Sequence, residues 1–513
     1  MRLPSRGGLA ILLVAAVAIA SFTDRDRSST VPAERVEAGA EPAGRPGAGG
    51  DLHPQTGLNG LALGPGGLTV TGTTAPAGVS SNRPTPRGAV LDGTVTTVAP
   101  PATTSGATSG PATDAGPTDG TGGAAAATTS GTGATGSPAA VPPAAAPTVR
   151  LAAGQDAQRV VDAAPEGAVI VLGSGVHQRF SVQPRTGQFF LAEPGAVLDG
   201  GGVLAHAFYA VRDGHSIPDS VVISGASRDA RLEIRNYTTG QLQTGAVHPH
   251  VDTRPSLGMG RNWVVQWCDI HSNGASGIRT ADGMVIRENV IHHNGQLGVG
   301  GTGVGITVVG NEIAYNRTRD DVDPTWEGGG LKLVSTTGAR VQGNLVYGNR
   351  GSGLWTDIDA VGTVTVGNTV VGNELAGIFD EISYGAEIRD NVVRGNGTVD
   401  SGWYWNAGIQ IAASRNVVVT GNQLSGNRQG ILLIQQPRGG GSQGTYVLDN
   451  IVVEGNVIAD SGVTGAVRDT FAYDTFAAAI AFRANTYTGS SAGNFVWDDT
   501  ELDAAAWQAV GFS

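Results

Sequence analysis

The chain has 513 residues, 80 of them Gly and 25 Pro, with 15% charged, a net charge of −12 and a single Cys. Gly at more than twice its usual ~7% share excludes a coiled coil or helical bundle, because each Gly costs roughly 1 kcal/mol in a helix interior, and the lack of a Gly-X-Y period excludes a collagen. The acidic balance excludes the electrostatic footprint of a nucleic-acid binder, and one Cys excludes an intramolecular disulfide framework.

Arg2 and Arg6 precede an apolar run over 9–20, and Ala18-Ile19-Ala20 fits a small-residue cleavage site. The run is shorter than the ~20 residues that cross a bilayer. Residues 1–20 therefore read as an export signal or, uncleaved, an anchor, which places the protein outside the cell or on its surface. Over 101–149 all but four residues are Ala, Gly, Pro, Ser or Thr. Such a composition has too little apolar side chain to offset its backbone entropy, so 21–149 is expected to be a disordered linker or stalk, and 150–513 the folded domain.

That domain opens with a short helical pattern in 158–164, then Pro165-Glu166-Gly167 and a β-branched run. The pattern apolar-x-x-Asn-x-apolar-x-x-Asn follows at 286–294, 308–316 and 341–349, and with variations at 366–373, 388–396 and 419–427. The paired asparagines (289/294, 311/316, 344/349, 368/373, 391/396, 422/427) are always five apart, and their first members are spaced by 22, 33, 24, 23 and 31. A base period near 23 with insertions is a solenoid signal. One repeat is too small to bury its own apolar face, so repeats must stack. Asn suits left-handed turns and amide ladders. Cys268 takes the Asn place in an earlier repeat and is expected to be an inert interior residue. The fold class is all-β: a right-handed parallel β-helix behind a disordered low-complexity N-terminal region. A monomer is expected. The aromatic tail (Tyr487, Phe495, Trp497, Trp507, Phe512) is expected to cap the last rung.

Aligning the strands that follow Gly277, Gly330, Gly353, Gly377, Gly408 and Gly430 puts Ile or Leu next in every case. That position points inward, and alternation makes one outward column of Arg279, Lys332, Trp355, Phe379, Gln410 and Leu432. The second is Ala281, Val334, Asp357, Glu381, Ala412 and Ile434. Asp357 and Glu381 then stack on adjacent rungs beside Lys332, the only lysine in the chain. Two close carboxylates raise one another's pKa, giving an acid and a base from one residue type. Asp357, Glu381 and Lys332 are the candidate catalytic residues. Trp355 and Phe379 are expected to offer flat faces to sugar rings, with Gln410, Arg279 and Trp326 as further substrate-binding candidates. Asp380 is expected to face inward, hydrogen-bonded. No cofactor or metal site is expected. Ca²⁺ at Asp320, Asp321 and Asp323 is the one alternative, and His292 and His293 read as turn residues.

The entry segment 158–200 resembles the cap of pectate-lyase-like β-helix proteins. Residues 326–397, with Trp326-Glu327-Gly328-Gly329-Gly330, Gly353-Leu354-Trp355-Thr356-Asp357 and Gly377-Ile378-Phe379-Asp380-Glu381, resemble a recurring block of secreted bacterial right-handed β-helix proteins. That group includes carbohydrate-active lyases, epimerases and glycoside hydrolases. The resemblance implies a glycan partner; the net charge of −12 and the single lysine make a poor host for a polyanion, which puts hydrolase first and lyase or epimerase second, with a non-catalytic glycan-binding module as the alternative. The Asp-Pro-His-Asp motif of mannuronan epimerases and the Asn-Thr-Asp and Arg-Ile-Lys signatures of polygalacturonases are absent.

Overall fold

The computed structural model describes residues 140–211, 216–251, 258–400, 402–469 and 480–513. The expected signal segment and the linker up to residue 139 lie outside them. No described helix is long and apolar enough to cross a membrane. From the first strand, Thr148–Leu151, the chain winds as a parallel β-helix with three sheets of 13, 12 and 12 strands. Every strand in them pairs in parallel with its counterpart in the next coil, except the antiparallel hairpin Phe495–Trp497 with Thr500–Leu502.

Register follows the apolar positions. Leu331 pairs with Leu354, Leu354 with Ile378, Ile378 with Ile409 and Ile409 with Ile431, all buried in the lumen. The helix Ala157–Ala163 closes the first coil, N-capped by Asp156, whose side chain accepts from Arg159 N. The far end is closed by the terminal hairpin and the helix Ala504–Ala509, with Trp507 stacked on Phe495 at 4.7 Å.

At two corners the coils are stitched by amide ladders. Asn391 Nδ2 donates to Asn422 Oδ1 at 2.9 Å, and its own Oδ1 accepts from both Asn368 N (2.9 Å) and Asn368 Nδ2 (3.0 Å). The same arrangement runs from Asn289 to Asn485, and a second ladder runs from Asn273 to Asn427 before Ser461 and Ser491 take over. Cys268 sits at the head of the first, donating its N–H to Asn289 Oδ1. Burial pushes its thiol up to about 12, as an inert interior residue requires. The expectation that ladder asparagines adopt the left-handed turn is corrected: the residue before each one does. Gly310, Gly343, Gly367, Gly421 and Gly455 have φ of 61–64°, where a Cβ is strained. His293 and Tyr315 take the same conformation before Asn294 and Asn316.

Asn391→Ala should cost about 3 kcal/mol or more, because it strands two donors of Asn368 together with the acceptor Thr365 O in the interior, while Asn422 Oδ1 keeps only the Asn391 main-chain N–H. The exposed Gln423→Ala should stay within about 0.5 kcal/mol. Guanidinium unfolding of both variants checks this, and equal losses would contradict the ladder's role.

Candidate functional site

The third sheet carries the outward columns in the expected register. Lys332 pairs with Trp355, Trp355 with Phe379, Phe379 with Gln410 and Gln410 with Leu432; beside them Val334 pairs with Asp357, Glu381 with Ala412 and Ala412 with Ile434. Thr356 pairs with Asp380, which sets Asp357 against Glu381 in the next coil. The column also extends upstream: Val247 pairs with Ile278, placing His248 beside Arg279, and Arg279 pairs with Gly300, which pairs with Lys332.

The outward face is covered, against expectation. Ala376, Ala407, Ala412, Leu432, Ile434, Val467 and Val496 form a second apolar core around Trp355 and Phe379. Insertions between coils make this possible, because they fold back over the sheet and remove its apolar side chains from water. Trp355 and Phe379 are buried and stack on each other, centroids 5.2 Å apart at 18°. They are not free platforms for sugar rings. Gln410 is also corrected: it is buried, and its Oε1 accepts from Asn406 N at 2.9 Å, holding an insertion rather than a ligand. Arg279, partly buried, donates to Gln243 Oε1 at 2.8 Å.

Within this cover lies a compact charge cluster. Lys332 Nζ is 2.8 Å from Asp357 Oδ2 and 3.9 Å from Glu327 Oε1, and it sits 3.6 Å from the centroid of the Trp355 ring. It also donates to the carbonyl of Trp326. An ammonium with these four neighbours is a charge partner, and the ring face adds a cation–π attraction. Glu381 Oε1 takes an ion pair from Arg438 Nη2 at 2.7 Å. Asp357 and Glu381 are 4% and 7% exposed. Burial first, and the Asp357 charge second, raise the Glu381 carboxyl to about 7, against the pull of Arg438 and Lys332. Both carboxyls are therefore ion-paired, Asp357 with Lys332 and Glu381 with Arg438, and burial holds the Glu381 carboxyl close to neutrality. Asp380 faces the lumen as expected. Its Oδ1 accepts from Thr356 Oγ1 at 2.6 Å, and burial raises the carboxyl to about 6.

Two insertions supply residues that the repeat alignment missed. Arg438 comes from the segment carrying the small hairpin Gly440–Gly441 and Gly444–Thr445, which is pinned by Tyr384 OH donating to Gly444 O (2.6 Å) and by Ser442 donating to Asp359. The insertion before the strand Ala407–Ala412 brings Trp403, Tyr404 and Trp405 together, with Trp405 6.4 Å from Phe379 and Trp403 38% exposed. The Trp-Tyr-Trp triplet in a long-period repeat was its signal. Trp326, 41% exposed, lies next to Lys332 at the other end of the Trp355–Phe379 stack. The acids of the 320–323 segment do not converge on a Ca²⁺ site: Asp320 pairs with Arg350, Asp321 with Arg319, and Asp323 accepts from Thr325.

A family model described as a right-handed β-helix region matches residues 256–402 and 361–504. No curated protein matches the sequence. Among solved structures, the A-module of Azotobacter vinelandii mannuronan C-5 epimerase AlgE4 is 15% identical, covering 67% of this chain and 92% of that one, with a TM-score of 0.48. The catalytic unit of a GH87 α-1,3-glucanase from Streptomyces thermodiastaticus is 15% identical over 72% of each chain, with a TM-score of 0.39. Tailspike protein 2 of the Escherichia coli O157:H7 bacteriophage CAB120 is 12% identical over 62% of this chain and 43% of that one, also at 0.39. At these identities and scores no residue role is transferred.

The raised Glu381 carboxyl has a consequence for stability. The folded chain binds this proton more tightly than the unfolded chain, whose carboxyl titrates near 4.5. The group's contribution is therefore fully present below about 4.5 and is lost as pH rises through about 7. Asp380, raised to about 6, acts in the same direction. Glu381→Gln should flatten the decline in stability between those limits, read as denaturation midpoints across pH. An unchanged slope would mean that Glu381 is ionised throughout.

Proposed function

We propose that this chain, a right-handed parallel β-helix protein, works outside the cell as a carbohydrate-active enzyme that hydrolyses a polysaccharide at the Asp357–Glu381 pair. The observation that carries the reading is the pair of carboxyls on adjacent coils: one paired with Lys332 at 2.8 Å, the other paired with Arg438 at 2.7 Å and raised by burial to about 7. Glycoside hydrolysis asks for this division. Glu381 gives its proton to the leaving glycosidic oxygen. Asp357, paired with Lys332, is the base or nucleophile: the anomeric carbon bonds to the oxygen of a water, directly or after a glycosyl ester on Asp357, and the water's proton passes to Asp357 or back to Glu381. Arg438 holds one oxygen of Glu381 and so orients the other. Trp326 and Trp403 are the exposed aromatics that a sugar would meet, while Tyr404 and Trp405 pack against the buried apolar core beside Trp403. The net charge of −12 disfavours a polyanionic substrate and favours a neutral glycan.

The low exposure of both carboxyls supports a second reading, in which the chain binds glycan at the exposed aromatics without turning it over.

The full-length chain, incubated with neutral and acidic polysaccharides and assayed for new reducing ends, separates the two. The hydrolase reading expects turnover that falls as pH rises past about 7. It also expects losses of roughly 10²–10⁴-fold in Glu381→Gln and Asp357→Asn, with native near-ultraviolet dichroism retained. Trp403→Ala should weaken binding under both readings. Binding without turnover would support the second, and turnover unaffected by either carboxyl substitution would exclude this site.

A further inference from the structure

The second sheet carries a separate cluster that the proposed reaction does not use. On the strand Cys268–His271, Asp269 and His271 both face outward. His271 pairs in register with His292 of the strand Val290–His292, and Asp269 pairs with Glu233 of the strand Leu232–Arg235. The ladders hold these coils in register, so the two imidazoles lie face to face, 4.8 Å between centroids at 11°.

Their ε nitrogens face carboxylates. His292 Nε2 is 3.0 Å from Asp269 Oδ1, and His271 Nε2 is 3.2 Å from Glu233 Oε1. The opposite ring nitrogens are already occupied: His271 Nδ1 lies 3.0 Å from Ser272 Oγ, and His292 Nδ1 lies 2.7 Å from His293 Nδ1. A metal-ligating histidine is oriented in this way, with one nitrogen fixed by an outer partner and the other presented to the ion. The ligand atoms of Asp269, His271 and His292 all lie within 4.8 Å of one another. A tetrahedral ion with bonds of about 2.1 Å needs them about 3.4 Å apart, a closure within reach of rotamer adjustment in these half-exposed side chains. The charge balance also favours a cation. Arg235 is engaged by Asp199 and Glu233, so Asp199, Glu233 and Asp269 outnumber it by two negative charges.

We propose that Asp269, His271 and His292, with Glu233 as the fourth donor, bind one divalent transition-metal ion of the zinc type. Two imidazoles with carboxylates suit zinc, cobalt or nickel, whereas calcium takes oxygen donors. The ion ties three successive coils together on the face away from the charge cluster, adding a link between repeats that otherwise stabilise one another only through nearest-neighbour contacts.

The test is calorimetric titration of zinc chloride into the untagged, chelator-treated full chain, with calcium chloride as the comparison. The expected result is about one equivalent of zinc bound, a raised melting temperature and no calcium binding. His292→Ala and Asp269→Asn should each weaken zinc binding by more than about tenfold, whereas His206→Ala, in the separate His206–His248 stack, should not. Because Asp269→Asn keeps the side-chain shape, it tests the site even if His292→Ala perturbs folding. Absence of zinc binding, equal binding of calcium, or zinc binding that survives both substitutions would overturn the proposal.

Discussion

The structure depends on the amide ladder. Within the ladders an Asn uses its side chain three ways: it donates to the amide of the next coil, donates to a main-chain carbonyl of the preceding coil and accepts from the coil before it, as Asn344 does with Asn368, Val308 and Asn311. A slip of one residue in any coil would strand several buried donors and acceptors at once, each at about 1–3 kcal/mol. Register is thus enforced at the corners, and the flat sheets between inherit it. Insertions such as the one giving the 33-residue step between Asn311 and Asn344 can vary in length without disturbing the column on the next sheet.

Fixed register turns one-dimensional sequence into two-dimensional surfaces. On the third sheet it sets Lys332, Trp355 and Phe379 in one line and Val334, Asp357 and Glu381 in the neighbouring line. On the second sheet it sets His271 over His292. Burying charge is costly unless it is paired, and the third-sheet cluster is paired throughout: Lys332 with Asp357, Glu381 with Arg438. The residual mismatch falls on Glu381, which answers by holding a proton. A group in that condition, beside a second carboxyl paired with a lysine, is poised for proton transfer.

Much of this was legible in the sequence because it is periodic. The five-residue Asn spacing and the Gly-Ile/Leu starts locate the corners, the inward positions and the outward columns, from Arg279 to Leu432. What periodicity cannot show is what an insertion does once it folds back. The segments bearing Trp403–Trp405 and Arg438 have no partner in the repeat, so the covering of Trp355, the recruitment of Gln410 by Asn406 and the ion pair at Glu381 were hidden. The histidine cluster was hidden for a related reason. His292 was read with its chain neighbour His293, whereas its working neighbours, His271 and Asp269, come from the coil before.

The central claim is that the register of the coils creates a carboxyl pair of unequal character beside one lysine. Isotope-edited infrared or carbon-13 titration of the Glu381 carboxyl in the full chain tests it most directly. The account predicts a midpoint near 7, moving higher in Lys332→Met because the ammonium favours the ionised form. A midpoint at the ordinary glutamate value of about 4.3, insensitive to Lys332, would contradict it.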